Sequence, residues 1–151
     1  MGDISEHFSK RDFSCRCRQC DHEFKISLTI VGILELIRSH FNKRVEIAVG
    51  HICEEESARL GEYKKNYHNL GKAVRFTVAN TPPEEVFQFL ERIPQVKGLG
   101  LDLDKKQLYF DLRDKISRKW VWDGSKEEEL TPDLRARYNL GEPQPLLFKN
   151  S

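Results

Sequence analysis

An α+β fold, a small and mainly antiparallel sheet with helices packed on it, is what the sequence predicts. Three observations carry that expectation. Apolar residues recur at helical spacing over Leu28–Phe41 and again after Pro83, short β-branched and aromatic runs lie between and beyond them, and two such runs, Gly98–Leu103 and Gln107–Leu112, flank the charged turn Asp104-Lys105-Lys106 as a hairpin would. The order is helix, strand, loop, strand, helix, hairpin, which suits helices laid on an antiparallel sheet.

Residues Phe8 to Phe24 mix Cys, Arg, Asp and Phe without a steady period and read as an irregular cap, anchored on the core by Phe8, Phe13 and Phe24. Leu28, Val31, Leu34, Ile37 and Phe41 then recur at helical spacing behind Ser27, whose hydroxyl suits an N-cap. Val45–Val49 reads as a short strand stopped at Gly50, and the polar run Glu54–Lys65 as a helical turn or two and a loop. After the strand Ala73–Val78, Thr81-Pro82-Pro83-Glu84 has the order of an N-cap, a first-turn proline and a capping-box glutamate. The helix it opens buries Val86, Phe87, Leu90 and Ile93. Trp120 and Trp122, two apart on an extended segment, share one face. Beyond Gly124 the composition turns polar, and Thr131-Pro132-Asp133 starts a short helix that Gly141 and Pro143 end. The expected organisation is therefore a domain over residues 1–124 with a C-terminal appendage over residues 125–151.

With 151 residues and 38% hydrophobic content, the chain can bury one core. Its 25 Lys and Arg against 24 Asp and Glu leave +1 overall, which offers no electrostatic ground for nucleic acid or an anionic membrane as partner. No run approaches the ~20 apolar residues of a membrane span. Met1-Gly2-Asp3-Ile4-Ser5-Glu6 lacks the basic-then-apolar layout of a leader, which favours a cytoplasmic setting over export.

Three of the four cysteines, Cys15, Cys17 and Cys20, fall within six residues, and Cys53 stands apart, unlike the spread of a disulfide framework. With His22 two residues on, the group offers soft thiolates and an imidazole. A structural zinc at Cys15, Cys17, Cys20 and His22 is one reading, with a second knuckle completed by Cys53 or by a histidine that the fold brings in. The other is a set of reduced thiols in a tight amino-terminal turn.

The stretch Asn66-Tyr67-His68-Asn69-Leu70-Gly71-Lys72-Ala73-Val74-Arg75 is similar to the signature S-x-H-x-x-G-x-A-x-D, matching it at His68, Gly71 and Ala73. Phe13-Ser14-Cys15-Arg16-Cys17 looks like an aromatic, Cys-rich opening, and Val49-Gly50-His51-Ile52 lies where S-G-Y-R is usual. Gly98-Leu99-Gly100 with Leu108-Tyr109-Phe110-Asp111-Leu112-Arg113 looks like a closing hairpin that normally carries V-H-V-D-V-R. In order and spacing, from about Phe8 to Trp122, the chain resembles the zinc D-alanyl-D-alanine carboxypeptidases of the Hedgehog/DD-peptidase fold group. The resemblance implies that fold. It also implies a chemistry: two His and one Asp hold zinc with an open position for water, whose pKa falls to about 7. A carboxylate shuttles the proton, and an Arg binds the terminal carboxylate of the substrate. Carried onto this chain, the resemblance makes His68 the first ligand, puts Arg75 at the Asp position and Tyr109 at the last His, sets Ile52 at the Arg of S-G-Y-R, and leaves Lys106 where the proton-transferring acid is expected.

Two functions from different classes follow. The first is a catalytically degenerate member with no cofactor in the cleft, because a cation in place of an anionic ligand repels a metal ion. His68, Arg75 and Arg113 would then hold a carboxylate or another anion, on a peptidoglycan peptide or a protein partner. The second is a working zinc metallopeptidase or amidase with rearranged ligands, His51, His68 and Asp111, and with Asp104 as the acid near the proton shuttle. Blander roles stand beside these: His68 as a hydrogen-bonded loop residue, Gly71 and Ala73 for close backbone packing, Arg75 as the ion-pair partner of Asp111 or Glu46, Tyr109 as a ring filling the vacated site, and Trp120 and Trp122 as core and rim.

Overall fold

Alternation along the strands sorts the apolar side chains onto one face of a six-stranded sheet, and two long helices pack into the core they form. The computed structural model describes residues 2–17, 20–60, 66–114 and 116–147. Within them run α1 (Lys10–Phe13), α2 (Leu28–Phe41), β1 (Val45–Val49), α3 (Glu54–Arg59), β2 (Ala73–Val78), α4 (Pro83–Glu91), β3 (Gly98–Asp102), β4 (Gln107–Asp111), β5 (Arg118–Trp122), β6 (Glu127–Glu129) and α5 (Pro132–Arg137). Residues 61–65 of the expected loop, and the Phe148 that ends the apolar tail segment, lie outside the described residues. The strand order is β1-β2-β4-β3-β5-β6, antiparallel except where β3 meets β5. The α+β class holds.

α2 starts where Ser27 Oγ accepts the Thr29 amide at 3.1 Å, and it stops at Asn42, whose φ of 51° leaves the helical region. Its buried side chains are Ile30, Val31, Ile33, Leu34 and Ile37, whereas Leu28, at the first helical position, is 76% exposed. α4 begins one residue later than its capping pattern suggests. The Thr81 hydroxyl donates to the Ala79 carbonyl at 2.9 Å and caps nothing, so Pro82 is the N-cap. Val86, Phe87, Leu90 and Ile93 are buried as expected, in one core with Val74, Phe76, Leu99, Leu101, Leu108, Phe110 and Val121.

The amino-terminal segment is more ordered than its composition suggests. In α1 the Ser9 amide donates to Asp12 Oδ2 at 2.8 Å. Phe8 and Phe13 reach the core as expected, but Phe24 is 36% exposed. Phe13 lies against Gly50, where a Cβ would meet its backbone at 2.5 Å, and the His51 amide donates to the Phe13 carbonyl at 2.6 Å. β1 is an edge strand, and it is blunted: its register slips between Ile47 and Val49, and Arg16 donates to the carbonyls of Ile47 and Ala48, each at 2.9 Å.

Residues 125–147, expected as an appendage, are seated on the core. β6 extends the sheet beyond β5, Thr131 Oγ1 accepts the Leu134 amide at 3.2 Å, and Leu134 and Leu140 are buried. Gln88 Nε2 donates to the Leu140 carbonyl and the Leu147 amide to the Arg92 carbonyl, both at 2.7 Å. The buried carboxylate of Glu91 takes Arg135 from α5 and, at 2.7 Å, Lys119 from β5. These anchors are single residues without a period, which is why periodicity passed them by.

Candidate functional site

The second face of the sheet carries polar and aromatic side chains and floors a cavity of about 730 Å³. Register puts Arg75, Tyr109, Gly100 and Trp120 in one row across β2, β4, β3 and β5. Gly100 is bare because Trp120 lies over it: a Cβ there would meet the indole at 2.5 Å. Trp120 and Tyr109 have their ring centroids 5.3 Å apart, and the Arg75 guanidinium sits 5.8 Å from the Tyr109 centroid. Arg75 pairs with Asp102 at 3.6 Å, rather than with the Asp111 or Glu46 that sequence offered, because Asp102 projects from β3 on the same face. The bulge in β1 lets both Ala48 and Val49 line the wall, with Ile52 beside them.

His68 closes one side of this row. Its ring meets Tyr109 edge-on at 5.6 Å, and its Nδ1–H donates to the Gly50 carbonyl at 2.9 Å, so the neutral ring keeps its lone pair on Nε2. Burial, opposed by that hydrogen bond and aided by the charge of Arg75, lowers its pKa to about 4. The folded state therefore takes up the His68 proton only near pH 4, whereas the unfolded chain takes it up near 6.5. Stability contributed by the neutral ring is complete above pH 6.5 and is lost as pH falls from 6.5 toward 4, by up to about 3 kcal/mol. Denaturant unfolding across that window checks it: the His68→Gln variant should show a shallower fall than the parent, and parallel profiles would exclude the effect.

Asp111 is fully buried and already taken. The Tyr109 hydroxyl donates to it at 2.7 Å, and Arg113 donates through Nε at 2.9 Å and Nη2 at 2.6 Å. Burial first, and Asp111 next, push the Tyr109 phenol above its ordinary pKa, while the Asp111 hydrogen bond holds Arg113 above its own. The expected anion site is thus only partly assembled. His68 and Arg75 come together, but Arg113 is bidentate on Asp111 and stacked near Trp120 and Tyr67, at 5.5 and 5.1 Å from their centroids. Of the rearranged ligand set, His51 holds Nδ1 toward the His68 carbonyl at 3.1 Å and Nε2 toward Glu23 at 2.8 Å, and Asp111 faces Tyr109 and Arg113. Asp104 lines the cavity with Lys105, whereas Lys106 takes the left-handed turn position at φ 56°.

Metal-binding chemistry converges elsewhere. The Sγ atoms of Cys15, Cys17, Cys20 and Cys53 all lie within 4.8 Å of one another, close enough to hold one ion, and this is the only such group among the described residues. His22 is not part of it. It is exposed, at φ 52°, and the fourth thiol comes instead from Cys53, in the loop after β1. None of the four is in a disulfide, and burial raises the Cys53 thiol above its ordinary pKa.

Sequence reasoning missed Asp102 and the role of the two strand glycines in clearing the face under Asp111 and Trp120. Gly98 and Gly100, two apart on a strand, were the available signal, since that spacing clears one face. The candidate zinc pair Cys15 and Cys53 is also joined by a Cys53 amide hydrogen bond to Cys15 Sγ at 3.3 Å, which no spacing announces. No helix of the described residues is long and apolar enough to cross a membrane. A sequence profile of the peptidase M15 family matches residues 6–109, and no curated protein and no solved structure matches the chain.

Proposed function

The chain belongs to the peptidase M15 family, matched over well more than half its length, and from that premise we propose that it is a peptidase-like binding module whose cleft receives a short peptide without cleaving it. The observation that carries the reading is the register pair Arg75–Tyr109 beside His68 on the cleft floor. In the family resemblance those positions supply the three zinc ligands, and only His68 retains a suitable donor. Arg75 has no lone pair to offer and adds a fixed positive charge. Tyr109 keeps its proton, which it donates to Asp111. The residues present do not fit the family's ion, and no hydrolytic step runs through one here.

The cleft instead offers charge of both signs. Arg75 and Lys105 face Asp102, Asp104 and Glu127 around the Tyr109, Trp120 and Trp122 rings, a lining suited to a peptide bearing both a carboxylate and an amine, as a peptidoglycan stem peptide does. The carboxylate would exchange with Asp102 on the Arg75 guanidinium, a contact spaced loosely enough at 3.6 Å to be replaced. Zinc, on this reading, belongs at the cysteine cluster and not in the cleft.

Calorimetric titration with a peptide ending in D-Ala-D-Ala, with free D-alanine assayed in parallel, tests the proposal. Saturable binding without D-alanine release is expected, and Arg75→Ala should weaken it at least tenfold, about 1.4 kcal/mol. D-alanine release that zinc stimulates and His68→Ala abolishes would establish the hydrolase instead.

A further inference from the structure

The cysteine cluster goes further than a group of neighbouring thiols. We propose that Cys15, Cys17, Cys20 and Cys53 form a closed four-thiolate zinc site that clamps the amino-terminal segment to the loop forming one wall of the cleft. This deepens the placement of zinc outside the cleft.

Geometry comes first. With Zn–S bonds near 2.3 Å, the edges of a four-sulfur tetrahedron are about 3.8 Å. Cys17 Sγ lies 3.3 Å from Cys20 Sγ and 3.5 Å from Cys53 Sγ, and all four sulfurs fall within 4.8 Å. A disulfide pairs sulfurs two by two at about 2.05 Å and has no need to gather four around one point. Two of the four, Cys15 and Cys53, are buried and the others half-buried, and four thiolates would complete a zinc tetrahedron, leaving no position open for water or substrate.

The surroundings suit a thiolate cluster. The Cys20 amide points at Cys17 Sγ at 3.4 Å and the Cys53 amide at Cys15 Sγ at 3.3 Å, N–H donors of the kind that stabilise metal-bound sulfur. Soft sulfur donors in a tetrahedron select zinc over hard cations. On binding, each thiol gives up its proton to solvent as the Zn–S bond forms, and no electron is transferred.

The clamp reaches the cleft through short links. Cys53 directly follows Ile52, which lines the cavity and whose carbonyl accepts Asn69 Nδ2 at 2.6 Å. Glu23, just beyond Cys20, accepts from the Cys15 amide at 2.8 Å and holds His51 Nε2 at 2.8 Å, and His51 in turn contacts the His68 carbonyl. Removing the ion would free both ends of this chain of contacts.

The test begins with the full chain purified in reducing buffer. One zinc per chain by elemental analysis is expected, with a cobalt-substituted form showing the charge-transfer and d–d absorption of a tetrahedral four-thiolate ion. Cys53→Ser should lose the ion or bind it at least about tenfold more weakly, whereas His22→Ala should keep it. Chelation should speed amide exchange at residues 13–17, 50–53 and 66–70 by about tenfold or more while leaving the β3–β4 hairpin protected. Metal-free protein with its thiols oxidised in pairs, iron in place of zinc, a three-thiolate cobalt spectrum, or zinc kept in Cys53→Ser and lost in His22→Ala would overturn the proposal. A second zinc, lost in His68→Ala while the first stays, would count against the cleft reading and leave the clamp standing.

Discussion

Removal of residues 125–151 is expected to cost about 5 kcal/mol or more and to lower the melting temperature by roughly 10–20 °C, if the remaining chain folds cooperatively at all. The stretch looks dispensable from its polar composition, yet Leu140 is wholly buried in the core and Leu134 nearly so. Emptying the place of one such leucine typically costs about 2–5 kcal/mol. Electrostatics adds a comparable loss. Glu91 has its side chain 1% exposed and takes Arg135 from α5 together with Lys119 from β5. Without Arg135 a buried carboxylate is left with one partner, and breaking buried pairs typically costs about 3–5 kcal/mol. Thermal unfolding of the chain ending at Gly124 checks the sum, and Leu140→Ala and Arg135→Ala apportion it. An unchanged, cooperative melt on truncation would make the stretch the appendage that its composition suggests.

The double variant Arg75→Asp, Tyr109→His is expected to gain a metal site in the cleft, binding a second zinc at micromolar affinity or tighter, about 8 kcal/mol of binding free energy, where the parent binds none there. The two positions are direct register partners on β2 and β4, and His68 already meets Tyr109 edge-on at 5.6 Å. The Nδ1–H bond from His68 to Gly50 orients the ring and leaves Nε2 as the donor atom, the usual arrangement of a metal-bound histidine. Replacing Arg75 is the larger step. It removes a cation from the site, relieves the charge that disfavours a positive neighbour at His68, and leaves Asp102 without its pair. Asp111 keeps its two bonds to the Arg113 guanidinium when the Tyr109 hydroxyl is lost, so the hairpin should survive. Zinc titration with the cysteine cluster intact reads the result as one equivalent in the parent and two in the variant. A folded variant with a single equivalent, or a parent that already binds a second through His68, would mean that the cleft has been misplaced.

Local order was legible in the residues themselves. Helical spacing announced α2 and α4, short β-branched and aromatic runs announced β1 to β4, and the hairpin turn stood out at Asp104-Lys105-Lys106, because these patterns are local to one element or turn. The family resemblance marked His68, Arg75 and Tyr109, and the fold does bring them to one floor, since alternation places the β2 and β4 partners Arg75 and Tyr109 on a common face. Partnership between distant elements was not legible. Arg75 meets Asp102 instead of Asp111, Arg113 is spent on Asp111 instead of the cleft, and His51 is held at both nitrogens. Cys53 displaces His22 from the thiol cluster, and lone leucines at 134 and 140 dock the polar tail. Each of these was decided by which segment arrives where once the core has closed. A hydrogen bond or ion pair is set by distance in space, and residues that are far apart along the chain carry no periodic record of it.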